Sequence, residues 1–306
     1  MATKISKLVH GRETYVTYYD SFVLKHPLPT MGDDAQLEWL LKQHRTKDAI
    51  DAIYSIGNPA YNIPRMHFIN DDEVMALEER APGLPLTRDL YRTLTRRQQY
   101  EIIHSLASFL VDMNESRPIQ EPILHQICSE LKFSRLETFI KTKMSNWFTK
   151  NEIRQMTQIY HEIGSFEYIT RPAWSHRDLN PNNVYYDPNS SKLSFIDFAE
   201  AGYQFIYRDI FASLQIELDI CKKVYETYKT LHNKSLYPIP SPKNDELRDI
   251  MKYRIMVVFL KRFIKAADDL RTNPNNQKSI NNNKEKVAFM REIMQNLRIL
   301  EQQFSK

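Results

Sequence analysis

A chain of 306 residues suggests about two domains, and its 42% hydrophobic and 26% charged residues exclude a disordered tail or a collagen-like rod. Its 42 Lys and Arg against 38 Asp and Glu leave a net charge of +4, too little to argue for nucleic acid or an anionic membrane as a partner.

Residues 1–30 read as strands, because Tyr15, Val16, Tyr18, Tyr19, Phe22, Val23 and Leu24 are β-branched, aromatic or otherwise apolar. Gly11 and Asp20 mark turns, and Pro27 and Pro29 end the run. Asp33–Gln43 reads as a helix, with Leu37, Leu40 and Leu41 at helical spacing and Asp33 and Asp34 at the end where the helix dipole favours them. Two short strands follow, Arg65–Ile69 and Val74–Leu77, around the turn Asn70-Asp71-Asp72, and Arg80-Ala81-Pro82-Gly83 breaks the chain. Beyond Gly83 the pattern turns helical. Arg96–Met113 carries Ile102, Ile103, Leu106, Phe109 and Leu110 on one face, and helices fit Pro122–Lys132, Leu136–Trp147 and Glu152–Ile163. A strand-like interruption covers Trp174–Ile196, three more helices fit Ile206–Leu231, Asp245–Leu270 and Lys284–Gln303, and the Asn-rich Asn273–Asn283 reads as a solvated loop. The expected fold is α+β, with a small antiparallel-β lobe over 1–82 and a larger helical lobe over 83–306.

Two cysteines, Cys128 and Cys221, cannot make a disulfide framework or a four-thiolate zinc site, and read as buried small hydrophobes. The first residues alternate polar and apolar, unlike a signal peptide. The apolar run Ile255–Leu260 falls far short of the ~20 residues that span a bilayer. A cytoplasmic protein is expected, and none of the six glycines forms a GxGxxG fingerprint.

The chemistry concentrates between Trp174 and Gly202. His176-Arg177-Asp178 is followed by Asn183, five positions after the aspartate, and then by Asp197 at the end of an apolar run. Val184–Tyr186 and Leu193–Ile196 are joined by the turn-forming Asp187-Pro188-Asn189-Ser190. A hairpin there would bring Asn183 and Asp197 to one pocket, offering an amide oxygen and a carboxylate. Hard oxygen donors of this kind suit Mg²⁺, which takes few protein ligands and completes its shell with phosphates and water. Asp178 is a separate carboxylate, free to accept the proton of an incoming hydroxyl.

This order of residues resembles the core shared by protein kinases and aminoglycoside phosphotransferases. The resemblance implies a bilobal kinase-like fold, a nucleotide-binding lobe over 1–82, Asp178 as the base, and Asn183 and Asp197 as Mg²⁺ ligands on the phosphates of ATP. It extends upstream. Lys25 is similar to the lysine that pairs the α- and β-phosphates, and Leu77-Glu78-Glu79-Arg80-Ala81 is similar to the hinge, where the Glu79 carbonyl and the Ala81 N–H would hold adenine. Downstream, Asp209 resembles the aspartate that bonds the backbone of the catalytic loop. The acid expected to pair with Lys25 lies on the first helix, Asp33 by register or Glu38 by residue type.

Only twelve positions separate Asp197 from Asp209 and no APE motif lies between them, too short a stretch for the peptide platform of a protein kinase. Arg177 points the other way, since small-molecule kinases usually carry Gly or Asn there. Ala199-Glu200-Ala201-Gly202 again resembles the aminoglycoside and choline kinase pattern. The expected activity is ATP- and Mg²⁺-dependent transfer to a hydroxyl of a small molecule, with no nucleic-acid or membrane partner; the alternatives are an inactive kinase-like binding protein and a protein kinase. The loop His10–Thr14 holds one glycine, so Thr14 or Arg12 would take over part of the phosphate cradle. Acidic Glu200, Glu217, Asp219 and Glu226 would suit a cationic acceptor but read equally as a solvated helix face, and Tyr203, Phe205, Tyr207 and Phe211 would suit a choline-like one but read more readily as core.

Overall fold

In the computed structural model, the β-branched and aromatic run near the N-terminus folds into antiparallel strands. The structure describes residues 7–10, 13–57, 60–117, 125–126, 147–163, 168–169, 172–205, 209–210, 220–232 and six positions between 281 and 292. Strands β1 (Lys7–His10), β2 (Thr14–Tyr18) and β3 (Phe22–Pro27) form a meander, closed between β2 and β3 by a 2.9 Å bond from Tyr19 N–H to the Phe22 carbonyl. After helix α1 (Asp33–Tyr54) and the short β4 (Tyr61–Asn62) come β5 (Met66–Asn70) and β6 (Met75–Glu79). The sheet order is β1-β2-β3-β6-β5, antiparallel throughout. Its central pairing places Val23 opposite Glu78 and Lys25 opposite Ala76.

Helix α1 departs from expectation in length and in the face it buries. It runs eleven residues past Gln43 because the buried stripe of Trp39, Leu40, Gln43, Thr46, Ile50 and Ile53 continues at three- and four-residue steps through the polar stretch His44–Asp48. Trp39 and Leu40 pack with Ala76 of β6, with Met31, Ile69 and Val74 around them. Leu37 and Leu41, which suggested the apolar face, are 58% and 52% exposed.

Gly83 turns the chain into β7 (Leu84–Pro85), which leads through α2 (Arg88–Thr93) to α3 (Arg96–Ser116). A Thr95–Gln98 capping box starts α3, and the residues expected on its apolar face are all buried. Later strands are β8 (His125–Gln126), β9 (Tyr168–Ile169), β10 (Pro172–Ser175), β11 (Val184–Asp187), β12 (Lys192–Phe195) and β13 (Gly202–Phe205). The expected hairpin is β11–β12, with Val184 opposite Phe195, and it is bracketed in a four-stranded sheet of order β4-β12-β11-β7. Under it Phe109 of α3 stacks on Phe195 at 3.8 Å between ring centroids, with Tyr61 edge-on to both. The Tyr61 hydroxyl donates to Asp112 at 2.7 Å, so these two buried polar groups meet inside the core. Helix α5 (Ile220–His232) packs on α3 and buries Cys221.

The chain divides into two compact units, residues 1–121 with 173–239, and 122–172 with 240–306. In the second, α4 (Lys150–Ile163) is capped reciprocally by Thr149 and Glu152, and Arg291 Nε donates to Glu152 at 2.6 Å while its guanidinium lies over Phe148. The helices expected over 122–132 and 245–270, most of those over 136–147 and 284–303, the Asn-rich loop but for Asn281, and Cys128, Arg12, Glu217 and Asp219 lie outside the described residues.

Candidate active site

Lys25 sits inside β3, and the other side chains of the site are placed by the end of a strand or by a turn. Ile196 N–H donates to the Asn183 carbonyl at 3.1 Å, one step beyond the last β11–β12 ladder pair, so Asn183 and Asp197 emerge side by side. Asp197 then turns left-handed, at φ 65°, into a short 3₁₀ turn over Phe198–Glu200, which ends the strand. Asn183 Nδ2 donates to the Asp178 carbonyl at 2.9 Å and to its Oδ2 at 3.1 Å, which fixes the carboxylate and leaves the Asn183 amide oxygen on the other side.

His176 is the fastener of this loop. It is fully buried: the Asp178 N–H donates to its Nδ1 at 3.3 Å, which leaves Nε2–H to donate to the Ile196 carbonyl at 3.0 Å. Asp209 Oδ2 accepts the backbone N–H groups of His176, at 2.7 Å, and Arg177, at 3.3 Å, the contact that the resemblance implied for it. Arg177 is held at φ 68°, a conformation Gly and Asn adopt more readily. Its guanidinium passes close over Gly202, where a Cβ would lie 3.0 Å from it.

Lys25, Asp178, Asn183 and Asp197 line one cavity of ≈ 780 Å³, all within the first unit. Ala81 lines it as well. Glu79 does not: its carboxylate accepts the Arg65 N–H at 3.0 Å, and its own N–H donates to the Arg65 carbonyl at 2.8 Å. Thr14 stands at the opposite end, where its Oγ1 accepts from Trp39 Nε1 at 3.0 Å.

The counter-ion of Lys25 corrects the expectation. Neither Asp33 nor Glu38 meets it: both are exposed, and Glu38 reaches Lys42 at 3.7 Å. Lys25 Nζ instead contacts Glu78 Oε2 at 2.8 Å, with 17% and 8% of the two side chains exposed. The sheet register explains why, because Glu78 is the diagonal same-face neighbour of Lys25 across β3–β6. Burial pulls the Lys25 ammonium down, but Glu78, with a smaller contribution from Asp197, outweighs it and holds the group above its ordinary value of 10.5. Sequence reading missed Glu78 although a signal was present: Ala76 and Glu78 alternate inward on β6, and an acid at an inward strand position needs a partner. It also missed Tyr18, Arg80 and Tyr185, which line the cavity near Ala81, with the Arg80 guanidinium 5.7 Å from the Tyr18 ring centroid.

A model of the phosphotransferase enzyme family matches residues 3–232. No curated protein sequence matches the chain. Solved structures with a similar fold include the GDP and kanamycin complex of an APH(2″)-IIIa phosphotransferase, 15% identical at a TM-score of 0.65, covering 96% of this chain and 95% of that one. A streptomycin–ATP ternary complex of APH(2″)-IIa is 16% identical at 0.54, with 94% of both chains covered. A choline/ethanolamine kinase family protein from Mesorhizobium loti is 10% identical at 0.60, with 99% of this chain and 93% of that one covered. These likenesses establish the kinase-like α+β fold. Among the described residues no helix is long and apolar enough to cross a membrane.

Proposed function

The chain belongs to the phosphotransferase enzyme family, and on that premise we propose that it moves the γ-phosphate of ATP, with Mg²⁺, to a hydroxyl of a small molecule such as an aminoglycoside, an amino alcohol or a sugar. The observation that carries the reading is the gathering of Lys25, Asp178, Asn183 and Asp197 on one cavity.

The donor set fits the metal. Among the described residues no three His, Cys, Asp or Glu are grouped to hold a cation alone, but Mg²⁺ in nucleotide sites takes one or two protein oxygens and the substrate phosphates. The free amide oxygen of Asn183 and the Asp197 carboxylate would hold it, and its charge would neutralise the phosphates. Lys25 binds the α- and β-phosphates. The Ala81 N–H, on the cavity wall, holds the adenine edge; the Glu79 carbonyl, whose residue does not line the cavity, would have to reach it from behind that wall, and residues 1–82 form the nucleotide-binding lobe. Asp178, oriented by the Asn183 amide, takes the proton of the acceptor hydroxyl. The hydroxyl oxygen bonds the γ-phosphorus while the bond to the bridging β–γ oxygen breaks, and ADP leaves.

Small-molecule acceptors are supported by the short interval from Asp197 to Asp209, and by neighbours solved with kanamycin and streptomycin. The test is Asp178→Asn. Mg·ATP binding should persist by calorimetry, while ADP release with a panel of aminoglycosides, amino alcohols and sugars falls by about 10²–10⁴-fold. Full turnover in that variant, or no stabilisation of the unaltered protein by millimolar Mg·ATP, refutes the reading.

A further inference from the structure

The ion pair on Lys25 and the contacts of helix α1 divide two tasks between two elements. Glu78 stands on the strand beside Lys25, in contact through a sheet register that fixes both backbones. Helix α1 sends no acid to Lys25. Two of its four cavity-lining residues reach the start of β2 instead: Trp39 Nε1 donates to Thr14 Oγ1 at 3.0 Å and Lys42 Nζ to Glu13 Oε2 at 2.9 Å. Glu13 and Thr14 end the loop whose sequence has too few glycines to wrap phosphates with bare backbone.

We propose that Glu78, a strand residue, is the positioning residue for the phosphate-binding lysine, and that helix α1 serves the β1–β2 loop rather than that lysine. Resting on the nucleotide-binding reading above, this assigns a role to the one buried acid of the cavity that the transfer step does not use. The chemistry follows from the geometry. A buried ammonium without a counter-ion loses its charge or swings to solvent, and the Glu78 carboxylate holds Lys25 charged and extended across the sheet. Because both partners belong to adjacent strands, a shift of α1 leaves the pair intact, and substitutions of the helix acids should be silent.

The experiment is a set of Mg·ATP titrations by calorimetry on the full chain, at pH 7 and over a series up to pH 10. Glu78→Gln should weaken binding about tenfold, as expected for removing one member of a desolvated charge pair. Lys25→Met should weaken it comparably, and the double variant should be no weaker than Lys25→Met alone. Asp33→Asn and Glu38→Gln should stay within about twofold of the unaltered protein. The pH series separates positioning from mere packing: without Glu78, burial acts on Lys25 with less opposition, so affinity should fall off at a lower pH than in the unaltered protein. Glu78→Asp keeps the charge and should restore the original pH profile with intermediate affinity, and it serves if the Gln variant does not fold. A Glu78→Gln protein that binds as the unaltered one at every pH overturns the proposal. So does a loss of the same size in the Lys25→Met background, or weakened binding in Asp33→Asn or Glu38→Gln. An unaltered protein that fails to bind Mg·ATP refutes the nucleotide reading itself, a result distinct from any pattern among the variants.

Discussion

Replacing Gly83 by alanine should damage the cavity's hairpin from behind. The residue sits at φ 88°, and a Cβ added there would lie 2.0 Å from the Tyr186 carbonyl oxygen, 2.4 Å from its carbon and 2.7 Å from the Asp187 nitrogen. All three are backbone atoms of β11, so no side-chain rotation relieves the overlap. The left-handed conformation alone costs an alanine roughly 1–2 kcal/mol. Separating β7 from β11 also strains the pairing of Leu84 and Pro85 with Tyr186 and Tyr185, and the 2.8 Å bond from Leu86 N–H to the Val184 carbonyl, worth roughly 1 kcal/mol per bond. The expected destabilisation is about 3 kcal/mol, a melting temperature lower by roughly 6–12 °C. Gly57 supplies the control, since it has φ 70° and an added Cβ there would meet nothing within 4 Å, so Gly57→Ala should show the conformational cost alone. Differential scanning calorimetry of both variants reads the difference. If Gly83→Ala melts within about 2 °C of Gly57→Ala, the close approach of linker and hairpin does not constrain the protein.

Asp209→Ala removes the acceptor of two backbone N–H groups in a site only 2% exposed, and should cost roughly 2–4 kcal/mol in urea unfolding, with Asp209→Asn milder because one acceptor oxygen remains. Thr14→Val keeps the shape but strips the partner from Trp39 Nε1, whose side chain is buried; it should cost about 1–3 kcal/mol by the same measurement. Glu152→Gln tests the second unit by pH. Burial raises the Glu152 carboxyl, but hydrogen bonds from Arg291 and Thr149 outweigh it and hold the group below its ordinary 4.5. A depressed carboxyl stabilises above its unfolded value and loses that contribution as pH falls through the folded one. The Gln variant should therefore be less stable than the unaltered protein at pH 7, and the two should converge as pH falls through the depressed value of the Glu152 carboxyl, below its ordinary 4.5, in thermal melts. A gap that stays constant from neutral to acid pH would refute the ionic origin.

Much of the site could be read from the sequence because its order is local. The spacing of Asp178, Asn183 and Asp197 spans one loop and one hairpin, and the turn residues Asp187–Ser190 announce that hairpin; Asp187 accepts bonds from Asn189 N–H and Ser190 Oγ. The partner of Lys25 could not be read that way, since it depends on the pairing of β3 with β6, strands separated in sequence by α1, β4 and β5. One residue of slip would have turned Glu78 to the other face. The end of α1 is hidden because His44–Asp48 looks like a terminus when polarity is counted, whereas Thr46 is buried and its hydroxyl bonds the Lys42 carbonyl inside the helix. Leu37 and Leu41 mislead for the complementary reason, because apolar spacing says nothing about which stripe meets the sheet.

His176 joins the loop of Asp178 to the segment of Asp197 through the Ile196 carbonyl, and Asp209, twelve positions further on, joins the far side of that segment to the same histidine's N–H. In enzymes where such a stretch is long, a phosphate or a partner can swing it between postures and so throttle the reaction. Here one histidine ties both described margins, Ile196 through its side chain and Asp209 through its backbone N–H. On the activity proposed above, the spacing between the base and the metal-binding carboxylate is then set by the fold of this one loop.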